Sequence, residues 1–336
     1  MAILIAFASP LGIMIKEYTT NKVNDVDTIA SDTQYEITTG KKRRPKPPET
    51  TTDKVYCILY DDGEMTISQN EITPDSSRTV VKKGFYDCPY YCSTTMTTVR
   101  FIESVKPKSC EYWFSNCQQL TNIENLEYLY TNEVTTMENM FNGCRNLTTL
   151  DVSNFDTSKV TSMKNMFSSC SKLTTLDVSN FDTSNVTTMS SMFNNCSKLT
   201  TLNVSNFDTL NVTNMSWIFS RCSKLTTLDV SNFDTSNVTN MNYMFLDCSN
   251  LTTLDVSNFD ISNVTDMYCM FCNCSNLTTL DVSNFDTSNV TNMAQMFYSC
   301  KNLTVDCSNF DISNVTSHDR FKYNASGVTA PDPSWT

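Results

Sequence analysis

Residues 147–170 read LTTLDVSNFDTSKVTSMKNMFSSC, and close variants of this stretch fill most of the chain after residue 117. A Phe that is followed three residues later by a Cys recurs every 26 residues in seven copies. Phe114 and Cys117 continue the series upstream, after an interval of 27 residues. In-register copies of this length predict a repeat protein, in which each unit buries its apolar face against its neighbours.

The first half of each unit has the pattern of a short strand. Leu150 and Val152 alternate with the polar residues Thr149, Asp151 and Ser153. A period of two is typical of a strand with one buried face. We therefore expect one short strand per coil, with its polar side chains directed outward.

The second half of each unit has a different period. Its apolar residues are separated by 3, 6, 7 and 10 positions from the first, and in one copy they are Val160, Met163, Met166, Phe167 and Cys170. These offsets favour one side of a helix. The sequence thus predicts an α/β repeat, with one short strand and one short helix per coil.

The two half-motifs, LxxLxVxxF and MFxxC, resemble the BspA-type leucine-rich repeat over about residues 114–316. Residues 55–67 (VYCILYDDGEMTI) resemble the strand-turn-strand segment that often precedes such repeats. The resemblance implies a right-handed leucine-rich-repeat solenoid with a binding or adhesive role, and it does not imply an enzyme. It also implies an extracellular or cell-surface location.

Four regions are expected along the chain. Residues 1–54 contain an apolar segment and a basic, Pro-rich linker; the apolar segment is either a cleaved signal or a docking segment. Residues 55–116 are expected to form a small β module and N-terminal cap. Residues 117–316 are the predicted solenoid, and residues 317–336 are its C-terminal cap and tail.

The composition argues against several classes of function. The chain has 336 residues, a formal charge of −12 and a single His. Acidic proteins are poor partners for nucleic acid, because that binding depends on neutralising phosphates. The sequence has no apolar run of about 18 residues, which a membrane-spanning helix needs. We find no nucleophile–base pair and expect no enzyme, cofactor or metal site.

The 15 Cys leave alternatives open. Eight belong to the Phe-x-x-Cys series, where a column of buried thiols is favoured over disulfide staples. Cys269, Cys272 and Cys274 have a spacing that also occurs in zinc sites, but no fourth ligand is evident. A redox pair formed by Cys269 and Cys272 is a further alternative.

Two surfaces are candidate binding sites. The strand face repeats short polar groups at fixed intervals, which suits a repetitive ligand; its residues are Thr149, Asp151, Ser153, Asp177, Asp229, Asp255 and Asp281. The predicted helix face varies between copies and collects large apolar groups at neighbouring positions, namely Trp217, Tyr243, Leu246, Tyr268 and Tyr298. Exposed aromatic clusters of this kind are typical of partner surfaces.

The sequence therefore favours a non-enzymatic adhesin that presents a rigid repeat surface to a cell-surface protein or glycan. The alternative is a virion component, such as a phage fibre, baseplate or capsid-attached protein. In that alternative, residues 1–50 would dock to other virion proteins. A spacer scaffold without a ligand of its own is the third hypothesis.

Overall fold

The computed structural model describes residues 35–36, 44–87 and 93–336. The predicted signal or docking segment at residues 1–20 lies outside these ranges. The first described elements are two short antiparallel strands, β1 (Tyr35–Glu36) and β2 (Arg44–Pro45).

A five-stranded mixed sheet follows. Its strands are β3 (Val55–Tyr60), β4 (Glu64–Ser68), β5 (Val80–Tyr86), β6 (Thr98–Phe101) and β7 (Asn122–Glu124), in the order β5-β3-β4-β6-β7. Strand β3 is antiparallel to both of its neighbours, whereas β4, β6 and β7 run parallel. The β3–β4 hairpin turns at Gly63, whose φ of +85° places it in a region that side chains disfavour. The parallel edge of the sheet then leads into the repeats.

From β7 onward the chain forms a stack of coils. Successive coils are joined in parallel by single β-bridges at equivalent positions, which run through Thr136, Ser162, Thr188, Asn214, Asn240, Asp266, Asn292 and Ser317. A short 3-10 helix, Leu126–Tyr128, lies at the start of the stack. At its end, β8 (Val305–Asp306) pairs in parallel with β9 (Val328–Thr329).

The predicted helix in each coil is wrong, and with it the α/β class. Among the described residues there is no α-helix, and the segment Met163–Cys170 is a run of tight turns. The amides of Met166, Ser168 and Cys170 donate to carbonyls three residues earlier, at 3.1–3.2 Å. The amides between them donate to the next coil instead; those of Asn165 and Phe167 reach the carbonyls of Ser190 and Met192 at 2.9 Å.

Left-handed residues are the physical reason for this arrangement. Asn165 and Ser169 have φ values of 56° and 60°, and the same two positions are left-handed in the other coils. A helix cannot continue through such residues, whereas a turn readily places one at its third position. Because tight turns also bring every third or fourth residue inward, their apolar spacing matches that of a helix.

The predicted strand of each coil is also wrong for the coils between β7 and β8, because residues 147–153 and their equivalents belong to no strand. This half of each coil is held mainly by side chains. The Thr157 hydroxyl is buried, donates to the carbonyl of Asp182 at 2.9 Å and accepts the amide of Asp182 at 2.8 Å. The Asn180 amide group donates to the carbonyls of Val152 and Phe155 in the preceding coil. Equivalent bonds recur along the stack, so Thr and Asn replace most of a backbone ladder here.

The core is continuous from the sheet to the C-terminus. The Phe residues of the repeat form a column in which neighbouring ring centroids are 5.5–6.0 Å apart from Phe114 to Phe297. This confirms the stacking that the 26-residue period predicts. The thiol of each Cys from Cys144 to Cys300 in the series donates to the carbonyl of a Phe in the preceding coil, at 2.9–3.2 Å.

The C-terminal residues close the end of this column. Phe321 is its last ring, and Trp335 packs edge-on against it at 5.2 Å. Trp335 also stacks on His318, with 4.3 Å between ring centroids, and is only 5% exposed. Trp335 therefore covers apolar surface at this end of the column.

Candidate functional site

A long groove runs along the strand face of the coils. It has a volume of about 1070 Å³ and is lined by the same three positions in six successive coils. These positions are residues 149–151, 175–177, 201–203, 227–229, 253–255 and 279–281. Each coil contributes a Thr, a Leu and an Asp, except that Asn203 replaces Asp in the third coil.

The groove has an apolar floor and polar margins. The Leu side chains are largely buried and form the floor, as Leu176 and Leu228 illustrate. The Thr and Asp side chains on either side of them are exposed. An alternation of this kind provides both apolar contact area and hydrogen-bonding groups to a bound molecule.

The groove carboxylates are oriented by local turns. Oδ1 of Asp229 accepts the amide of Ser231 at 3.0 Å and its hydroxyl at 2.6 Å, and Asp255 and Ser257 repeat this arrangement. The hydrogen bonds from Ser231 hold the pKa of Asp229 below its ordinary value, against the weaker opposing effect of the neighbouring Asp255 charge. The groove therefore carries a row of ionised carboxylates at neutral pH.

Most of the predicted strand-face residues line this groove. Thr149, Asp151, Asp177, Asp229, Asp255 and Asp281 all contribute to it. Ser153 is not among the lining residues; it is half-buried, and its amide donates to Asp151. Sequence reasoning overlooked the Leu floor, because Leu150 and its equivalents were assigned to the core.

An aromatic cluster lies on the second half of the coils. We call this surface the turn face, because runs of tight turns form it in place of the predicted helix. The ring of Trp217 stacks on Tyr243 at 3.8 Å, and Tyr268 meets Tyr243 edge-on at 4.8 Å. Tyr298 stacks on Tyr323 at 5.2 Å. Leu246, Cys269 and Cys272, with the rings of Trp217, Tyr243, Tyr268 and Tyr298 packed against them, form a surface cluster that is separate from the main core.

The structure corrects two details of this patch. Leu246 is buried beneath the rings rather than exposed, and Trp217, Tyr243, Tyr268 and Tyr298 are half-buried. Tyr323 is 53% exposed and was missed by sequence analysis. Its place in the repeat was hidden because the last coil is one residue shorter: the left-handed residues Gln295 and Ser299 recur 25 positions later, at Arg320 and Asn324.

Trp217 and Tyr243 have backbones that bulky residues disfavour. Their φ values are 61° and 57°, at positions where other coils place Asn165 and Ser191. Left-handed backbone costs non-Gly residues about 1–2 kcal/mol, and Asn tolerates it better than aromatic residues do. The aromatic side chains at these two positions are therefore not explained by the demands of the fold.

The three cysteines at positions 269, 272 and 274 lie in two different parts of the structure. Cys274 lies in the core, where its thiol donates to the carbonyl of Phe245, whereas Cys269 and Cys272 belong to the surface cluster. Within residues 35–36, 44–87 and 93–336, no group of three or more His, Cys, Asp or Glu side chains is placed to hold a metal ion.

The family model described as "Mycoplasma protein of unknown function, DUF285" matches residues 108–228, 197–280 and 249–336. The chain belongs to the DUF285 family. The three overlapping matches together span the coils and begin after β6, so the groove and the turn-face cluster both lie within the part of the chain that defines DUF285 membership. The finer resemblance to BspA-type repeats stays a prediction.

Three solved structures are similar to this DUF285 chain. A leucine-rich repeat protein from Eubacterium ventriosum is 16% identical, with a TM-score of 0.34 over 85% of this chain and 96% of that one. A leucine rich cell surface protein from Faecalibacterium prausnitzii is also 16% identical, with a TM-score of 0.33 over 86% and 96%. A leucine-rich repeat protein from Bacteroides ovatus is 14% identical, with a TM-score of 0.32 over 84% and 90%. Similarities this distant carry no argument about the function of the DUF285 chain.

No curated protein matches the sequence of this DUF285 member. In the described part of the chain, no helix has the length and the apolar character that crossing a bilayer requires.

Proposed function

We propose that this DUF285 chain is a non-enzymatic binding protein whose strand-face groove holds an extended segment of a surface protein. The observation that carries the proposal is the groove itself, which repeats one set of Thr, Leu and Asp side chains over six coils. Five steps of about 4.8 Å give it a length of about 24 Å, enough for about seven residues of extended chain.

The charge of the groove favours a basic segment. Asp229, Asp255 and Asp281 keep lowered pKa values because Ser hydroxyl and amide groups donate to them. A row of ionised carboxylates attracts Lys and Arg and repels acidic partners, which gives the groove selectivity as well as attraction. The Leu floor would contact the apolar parts of the same segment.

A charge-neutralising pair of variants tests this proposal. Asp229→Asn with Asp255→Asn removes two groove charges, and Asn203 shows that Asn fits this position, since its Oδ1 accepts the amide of Ser205 at 3.0 Å. The matched control is Asp234→Asn with Asp260→Asn, which removes two charges from carboxylates that make the same turn bonds outside the groove.

The measurement is fluorescence anisotropy of a labelled heptapeptide of alternating Lys and Thr, titrated with the full-length protein. At roughly 0.5–1 kcal/mol per exposed charge pair, the groove variant should bind about tenfold more weakly than wild type at low salt. The control variant should bind nearly as well as wild type. Equal losses in both variants, or no binding of the peptide to wild type, would show that the groove does not hold basic segments.

A glycan is the second candidate ligand, and the turn-face cluster supports it. Aromatic rings are common contact surfaces for partners, and Trp217 and Tyr243 keep theirs at a conformational cost. Trp113 and Trp335 are buried, so Trp217 is the half-exposed Trp whose fluorescence reports on this cluster. Neutral oligosaccharides should change that fluorescence in wild type and not in Trp217→Asn; no change in wild type removes the candidate.

We propose adhesion at a cell surface as the setting of this binding. Surface labelling of intact producing cells with an antibody to the protein tests the location. Recovery of the protein in purified virus particles, and not on cells, would instead favour the virion alternative. That alternative depends on residues 1–50, most of which lie outside the described ranges.

A further inference from the structure

Two thiols lie outside the core of the coils. Cys269 and Cys272 are 3% and 4% exposed, and they pack with Leu246 under the rings of the turn-face cluster. Half-buried side chains, which include Tyr268 and Tyr298, pack against this cluster. Neither thiol lines the strand-face groove that is proposed to hold a ligand.

The thiols of the core column are arranged differently. Those of Cys248 and Cys274 donate to the carbonyls of Phe219 and Phe245, at 3.1 and 3.2 Å. Each is therefore directed at the backbone rather than at a second sulfur, and burial raises the pKa of both thiols. In the described part of the chain the structure shows no disulfide between cysteines.

Cys269 and Cys272 pack in the same surface cluster. The amide of Cys272 donates to the carbonyl of Cys269 at 3.2 Å, so the two residues are the ends of one four-residue turn. The Cα atoms at the ends of such a turn are within about 7 Å, and disulfides join Cα atoms about 4.4–6.8 Å apart.

The pKa values of the two thiols are shifted in opposite directions. Donation from the Cys272 thiol lowers the pKa of Cys269, and the same bond, with burial, raises the pKa of Cys272. The Cys269 thiol donates to Oε1 of Gln295 at 3.6 Å. On the ground of its lower pKa we assign the first attack to Cys269 and the resolving step to Cys272, as in reactive Cys-x-x-Cys pairs.

We propose that Cys269 and Cys272 form a redox-active dithiol, which closes to an intramolecular disulfide by exchange with a low-molecular-weight disulfide such as oxidised glutathione. The Cys269 thiolate attacks one glutathione sulfur, the glutathione S–S bond breaks, and one glutathione leaves as a thiolate that takes up a proton. Cys272 then loses its proton to solvent and attacks Sγ of Cys269, which expels the second glutathione. Two protein thiols are oxidised by two electrons, and the glutathione disulfide is reduced to two thiols.

Redox titration of the folded, full-length protein tests this site. The protein is equilibrated with graded mixtures of reduced and oxidised glutathione, quenched with acid, alkylated in denaturant and cleaved before Asp. The resulting peptide, residues 266–280, contains Cys269, Cys272 and the core thiol Cys274, which serves as an internal control. Mass spectrometry then gives the fraction in which Cys269 and Cys272 are joined and Cys274 is alkylated.

The extent of intramolecular disulfide formation should follow the composition of the glutathione buffer. When the concentration of oxidised glutathione, divided by the square of that of reduced glutathione, rises tenfold, the ratio of disulfide to dithiol in the protein should also rise about tenfold. Cys269→Ser and Cys272→Ser should each abolish the joined species and retain the fold, since Ser191 and Ser168 occupy the equivalent positions elsewhere. Failure of the pair to oxidise, stable glutathione adducts without closure, or equal oxidation of Cys274 would overturn the proposal.

Discussion

The rings of Phe141 and Phe167 lie parallel, with 2° between their planes and 5.8 Å between their centroids. The two residues are 26 positions apart, so this contact joins equivalent points of adjacent coils. Each Phe thus fills space that its own coil leaves open and that the next coil supplies. The stability of the stack accordingly depends on contacts between neighbours, as in other repeat proteins.

Truncating a central ring should be costly. Phe193 is fully buried between Phe167 and Phe219, and Phe193→Ala should lower the free energy of unfolding by about 3–5 kcal/mol. Urea denaturation followed by circular dichroism measures this change. Leu210→Ala is the control, because Leu210 is 49% exposed and should change the unfolding free energy by less than about 0.5 kcal/mol. Similar effects of the two substitutions would contradict the Phe column.

Removing the C-terminal cap should loosen only the end of the stack. Trp335→Ala uncovers Phe321 and removes the ring that stacks on His318. Since each coil contacts only its neighbours, amide hydrogen exchange should accelerate in the last one or two coils and stay unchanged in β3 and β4. Unchanged exchange around Phe321 would show that Trp335 does not close the column.

Acid should weaken the coils through their turn carboxylates. Hydrogen bonds from Ser231, Ser257 and Ser283 lower the pKa values of Asp229, Asp255 and Asp281 in the folded protein. A lowered folded pKa stabilises the protein above the unfolded pKa, and that contribution is lost as pH falls through the folded value, below about pH 4.

The urea midpoint at pH 7 and at pH 3 checks this effect. The triple variant Asp229→Asn, Asp255→Asn, Asp281→Asn should lose less stability between the two pH values than wild type does. Its amide oxygens can still accept the Ser amides, as Asn203 does. An equal loss in wild type and variant would mean that these carboxylates do not contribute to the acid sensitivity.

The sequence predicts which residues form the core, but it does not predict the backbone conformation of the coils. The interval between Phe141, Phe167 and Phe193 predicts their column, because only adjacent coils can bury such regular apolar positions. The spacing of Val160, Met163 and Phe167 could not separate a helix from a run of turns, since both direct these residues inward. The available signal was the polar residues two before and two after Phe, such as Asn165 and Ser169, which tolerate left-handed backbone.

The candidate sites were predicted to different extents. The Thr and Asp rows follow from strict repetition, and Thr149 and Asp151 do lie together in the groove. The depth of the aromatic cluster could not be predicted, because the helical geometry assumed for Leu246 placed it at the surface. In the turn geometry the same position faces Cys269 and Cys272 beneath the rings.

The most direct test of the helix-free coil is a pair of substitutions at Asn165, whose φ is 56°. In a left-handed turn, Asn165→Gly should be more stable than Asn165→Ala by about 1 kcal/mol, because Ala has a Cβ that this backbone disfavours. In a helix the order would reverse by a similar amount, since Ala is the best helix former and Gly is among the worst. Urea midpoints that place Asn165→Gly above Asn165→Ala agree with the stacked-turn coil, and the opposite order would contradict it.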